Sequence, residues 1–152
     1  MSSAIVYPRM EVLQSLYELT ADITPNRFIT TRPNAVGEQM DEFLLIRLPQ
    51  RITEPGDTYQ LTTGQIAVFA RDIQGTDGKG NTISGLENSP MLELMQDAVC
   101  SLFPIRSNLY LATRPILLPG GSDGAGFHSL IIQFSIRIHK DFDIHPKEKL
   151  TI

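Results

Sequence analysis

The chain has 152 residues, of which 41 % are hydrophobic and 20 % charged. That is enough apolar content for one folded domain with a real core, and too much for a disordered tail. A formal net charge of −4 argues against a free-standing nucleic-acid binder, which needs a basic face to displace phosphate counterions.

Residues 1–8 carry neither the basic nor the apolar region of a secretory signal. No apolar run approaches the roughly 20 residues of a membrane helix. The single cysteine, Cys100, suits a reducing compartment. The expectation is a soluble protein made in the cytoplasm.

Residues 8–20 read as a helix, because Pro8 is tolerated in a first turn and the apolar residues recur at helical spacing. Met10, Val12, Leu13, Leu16, Tyr17 and Leu19 form the expected stripe. After Pro25, residues 27–30 suggest a short strand. Residues 42–48 (EFLLIRL) form a near-continuous apolar run, the pattern of a strand covered on both faces. Residues 59–71 are a second long strand, with Ile66 and Val68 on one face and Ala67 and Phe69 on the other.

Residues 72–88 (DIQGTDGKGNTISGLEN) contain four glycines and no apolar period, and read as a long inserted loop. Structureless loops of that length in a compact domain are usually functional or disordered. Residues 89–103 then form a helix, with Ser89 expected as N-cap and Pro90 at the first helical position. Its buried stripe is Leu92, Met95, Val99 and Leu102, joined by Ala98 and Phe103, and Pro104 ends it.

A strand over 109–118 follows, closed by Pro119. Pro115 cannot donate to a ladder, which demands an edge position or a bulge there. Residues 127–139 give the clearest pattern in the chain: Leu130, Ile132, Phe134, Ile136 and Ile138 alternate with Ser129, Gln133, Ser135, Arg137 and His139. That is a strand with one wet face. The fold expected is α+β: a mostly antiparallel sheet of four to five strands, two main helices on one face, and a long inserted loop. One domain spans 1–139, and a tail without a core of its own spans 140–152.

Chemical motifs are few. The glycines of 119–126 lead into a strand, with no lysine at a phosphate-binding offset, so they read as a hairpin loop. Residues 77–81 lack the acid spacing of a calcium loop. His139, Asp141, Asp143 and His145 are metal-ligand types, but neighbours two apart on one strand seldom converge on an ion, and a solvated tail is the simpler reading. Cys100 sits among apolar neighbours as a structural thiol, and His128 reads as a core or rim residue. No paired acid and base stands out.

The elements in this order resemble the tail-terminator or tail-completion proteins of tailed bacteriophages and prophages, within the head–tail connector group. The resemblance covers roughly 8–139. It rests on EVLQSLYEL, then FLLIRLPQRI, then YQLTTGQIAVFARD with its Phe69-Ala70-Arg71-Asp72 end. SPMLELMQDAVCSLFP and LLPGGSDGAGFHSLIIQFSIRI complete it.

The resemblance implies a virion subunit that is not an enzyme and takes no cofactor or metal. It implies a homo-oligomeric ring, commonly a hexamer, at the top of the tail tube or the head–tail junction. Tail tube and head–tail connector proteins would be its partners, DNA would pass without specific binding, and no membrane would be involved. The long loop and the tail depart from the family pattern, and the candidate assembly residues there come from this sequence alone: Asp72, Gly75, Asp77, Lys79, Asn81, Ile83 and Leu86 in the loop, and Phe142, Ile144 and Leu150 in the tail. A small-ligand or metal-binding module, or an adaptor domain that forms no ring, remain the alternatives.

Overall fold

The structure, a computed structural model, describes residues 8–31, 40–48 and 59–139. The expected tail, with Phe142, Ile144 and Leu150, lies outside the described residues. Two helices, α1 (Pro8–Leu19) and α2 (Ser89–Cys100), accompany eight strands among the described residues. These are β1 (Arg27–Ile29), β2 (Glu42–Arg47), β3 (Tyr59–Arg71), β4 (Ile73–Thr76), β5 (Thr82–Leu86), β6 (Ile105–Arg106), β7 (Tyr110–Ser122) and β8 (Phe127–His139). Six form one sheet in the order β1-β2-β3-β8-β7-β6, and β4 and β5 pair apart from it. Only β1 and β2 run parallel within the sheet.

The expected α+β class holds, with more strands than four or five. β6 has two residues, too few to show any period. Both helices cover the same face. Val12, Leu13 and Leu16 of α1 and Leu92, Met95 and Val99 of α2 are buried in one core with Ile66, Val68, Ile132, Phe134, Ile136 and Ile138 of the sheet. Each such side chain contributes about 1.5–3 kcal/mol by leaving water.

The α1 stripe is narrower than the sequence suggests. Met10 and Leu19 are exposed, because a 12-residue helix at a sheet's surface can turn only a limited arc inward. Asn88, not Ser89, is the N-cap of α2, and its side chain accepts from the Met91 N–H. Asn and Ser cap equally well and Pro is tolerated at either of the first two positions, so sequence alone does not separate the two.

β2 is covered on both faces, as its composition requires. Leu44 and Ile46 face the helices, while Phe43 anchors a second cluster with Phe28, Phe69 and Phe127. Phe43 stacks on Phe69 with centroids 4.4 Å apart and meets Phe127 edge-on at 5.2 Å.

Pro115 lies in a register break of the β7–β8 ladder, between Thr113 and Ile116, and Arg114 there has φ 59°. The bulge expected from the proline is present. β7 does not stop at Pro119; it runs to Ser122 through a second break between Pro119 and Gly121. A break of this kind lets the strand continue past a residue that cannot donate. The glycine-rich segment is a β7–β8 hairpin turn, with Gly121, Gly124 and Gly126 at positive φ.

Candidate assembly surface

Residues 72–88 are not structureless. They form a β-hairpin, β4–β5, that belongs to no other sheet. Sequence periodicity misses it because six of its nine strand residues are Gly, Thr, Ser or Gln, and because a bulge breaks the alternation. Ile73 pairs with Leu86, and Gly75 with Ile83. One residue separates the first members of these pairs and two separate the second. Gly85, at φ 76°, absorbs the extra residue.

Opposed residues in an antiparallel pair share a face. The bulge therefore gathers Ile73, Ile83 and Leu86 on the face that also holds Gly75. A Cβ on Gly75 would come within 2.7 Å of Leu86 Cδ1, so the glycine leaves room for that side chain. All three aliphatic residues are exposed, at 42 %, 37 % and 37 %.

The tip is held by Asp77. Its Oδ1 accepts from the backbone N–H of Lys79 at 2.7 Å and of Asn81 at 2.9 Å, and its Oδ2 accepts from Asn81 Nδ2 at 3.2 Å. The Asn81 amide first, and the Lys79 amide next, hold the Asp77 pKa below its ordinary value. Lys79 projects from the same turn and is exposed.

The root is fixed on both sides. Asp72 donates its backbone N–H to the Gly126 carbonyl at 2.8 Å, and its carboxylate meets His128 Nδ1 at 2.5 Å. Beside it, Arg71 donates to the Met40 carbonyl, pairs with Asp41 at 3.2 Å and lies over the Phe127 ring. At the other end, Glu87 accepts from Ser89 Oγ at 2.5 Å and Asn88 caps α2. A firmly rooted arm thus presents an apolar face to solvent.

All seven expected loop residues fall on this arm or its root, in separable roles. Asp72 clamps the root, Asp77 and Asn81 build the tip, and Gly75, Ile83 and Leu86 form the face. The sequence reading missed Ile73 on the face and His128 as the root's partner. Ile73 was detectable, as an aliphatic residue two before Gly75; the His128 contact spans 56 positions and leaves no local signal.

A groove of about 610 Å³ lies on the helical side. Leu19 at the end of α1 and Ile23 in the turn beyond it line one wall, Met91, Leu94, Met95 and Leu102 line another, and Asp22 and Glu42 supply two carboxylates. Leu94 is 66 % exposed. Thr24 Oγ1 donates to Glu42 Oε2 at 3.3 Å.

Cys100 is half-buried in α2. Burial first, and the charge of Asp97 next, push its thiol pKa up, the opposite of what thiolate chemistry requires. Among the described residues no group of three metal-ligating side chains converges, and no helix is long and apolar enough to cross a membrane. Asp141, Asp143 and His145, three of the four members of the histidine–aspartate run, lie outside the described residues.

No protein-family model matches the chain, and no curated protein matches it. Ten solved chains are similar in fold. One of them, whose designation describes no function, superposes with a TM-score of 0.49 at 13 % identity, covering 88 % of this chain and 98 % of that one. A likeness at that level carries no argument about role.

Proposed function

We propose that this protein is a structural virion subunit that acts by assembling with copies of itself and with neighbouring proteins. Its place is a ring, commonly of six copies, at the head–tail junction or the top of the tail tube of a tailed phage. One observation carries the assembly reading: a β-hairpin outside the main sheet exposes three aliphatic side chains on one face. An isolated domain gains nothing from exposing such a face, whereas a repeated subunit can bury it against a neighbour.

The phage setting rests on the order of elements quoted above. The net charge of −4 also suits a channel through which DNA slides without sticking.

The test is made in the producing genome. Residues 74–86 are replaced by a two-residue turn, and particles are counted and imaged. Unjoined heads and tails, with a large loss of infectious yield, are the expected result. Normal numbers of fully tailed, infectious particles would overturn the reading, as would a particle reconstruction lacking this protein between head and tail.

A further inference from the structure

The apolar arm and the apolar groove lie at different places on one molecule, and neither is filled by the other. We infer that the β4–β5 hairpin of one copy docks in the α1–α2 groove of a second copy, through Ile73, Ile83 and Leu86 against Leu94 and its neighbours. This rests on the assembly reading above and names the two surfaces that would meet.

Charges match. The groove lining includes Asp22 and Glu42 and no basic residue. The hairpin over 73–86 has one basic residue, Lys79, and one acid, Asp77. Asp77 is already occupied by the amides of its own turn. The arm therefore offers three aliphatic groups and one available cation to a groove of aliphatic groups and carboxylates. Met91 and Met95 in the wall can adjust to the incoming side chains.

Docking into the molecule's own groove is opposed by the root. Asp72 is clamped by His128 and Gly126, and Asn88 is committed to capping α2. Folding the arm back over α2 would break one end or the other. An arm and a groove on separate surfaces join copies head to tail, the arrangement that closes into a ring.

The experiment uses the full chain in a Cys100→Ser background. One preparation carries Ile83→Cys and the other, isotope-labelled, carries Leu94→Cys; both positions are exposed, so the fold is retained. The two are mixed at about 100 µM, a concentration that populates weak contacts, and then oxidised. Ile83→Cys mixed with Ser135→Cys, a position on the sheet's opposite face, is the control.

A labelled–unlabelled disulfide exceeding the control by roughly tenfold is expected. Adding Lys79→Glu should cut its yield several-fold, and Glu42→Lys in the other preparation should restore it. A yield equal to the control overturns the inference. So does a doubly substituted chain, Ile83→Cys with Leu94→Cys, that closes only on itself. Failure here while particle images show a ring of this protein would sink the docking and leave the ring. Successful cross-linking of a protein that infectious particles do not contain would do the reverse.

Discussion

The carboxylate of Asp72 meets Nδ1 of His128 at 2.5 Å, joining the residue that leaves β3 to the start of β8. Both side chains are mostly buried, at 12 % and 20 % exposure. The contact sets the direction in which the hairpin departs from the sheet.

Asp72→Ala removes that anchor and leaves a mostly buried imidazole without its partner. The expected loss is about 1–3 kcal/mol, measured by denaturant unfolding. Amides of 73–86 should exchange faster by more than the global loss explains. Unchanged exchange in the hairpin would show that the root does not control the arm.

Asp77 gives the tip a pH dependence of known sign. Backbone amides favour its charged form and lower its pKa in the fold below the ordinary 3.8. Its contribution to the turn is complete above that ordinary value and is lost as pH falls through the lowered one. Amide resonances of Lys79 and Asn81 should therefore titrate below pH 3.8, and Asp77→Asn should abolish the transition. A midpoint above the ordinary value would refute the capped geometry.

Tyr110 is fully buried, and its hydroxyl lies 2.8 Å from Ser15 Oγ, tying β7 to α1. Burial raises the phenol pKa above 10.0, partly opposed by the Ser15 bond. The neutral ring is what the fold accommodates, so this stability is present below pH 10 and disappears as pH rises through the raised value. Tyr110→Phe should cost about 0.5–1.5 kcal/mol at neutral pH and should flatten the alkaline limb of a stability–pH curve. An unchanged limb would assign alkaline unfolding to another group.

Gly64 and Gly120 are fixed by contact. A Cβ at Gly64 would stand 2.5 Å from Phe134 Cε2 and 2.8 Å from Ile136 Cδ1. At Gly120 it would overlap Ser129 Oγ and come within 2.9 Å of the Ser129 carbonyl oxygen. Gly64→Ala should cost about 1–3 kcal/mol through overpacking. Gly120→Ala should cost at least as much, since backbone yields less readily than a ring. Thermal unfolding checks both, and a neutral Gly120→Ala would mean that β7 can shift away from β8.

What the sequence discloses here depends on how local each cause is. The alternation of 127–139 names the buried face of β8 correctly, because side-chain direction in a strand follows from position alone. Pro115 announces its own bulge for the same reason. The aromatic cluster on the far face could not be foreseen: Phe28, Phe43, Phe69 and Phe127 come from four distant segments, and only the registers of β1, β2, β3 and β8 together align them. The hairpin failed for a third cause, since its bulge converts a strand's period of two into an apparent absence of period. Of the candidate assembly surface, the segment was legible and its face was not. The groove, made where α1 ends beside α2, has no counterpart in any single stretch of sequence.

The breaks in β7 bear on how this protein behaves when crowded. β6 pairs with only Leu111 and Ala112 of β7, which leaves most of that strand's outer edge uncovered by any described strand. A straight edge of that length would template the addition of foreign strands without end. Here Pro115 and Pro119 each lack an N–H, and two register breaks bend the strand between Thr113 and Gly121. Backbone zippering, the route to fibrils, is interrupted along that edge. Any association is then left to side-chain contacts, which can be finite in number and closed in shape.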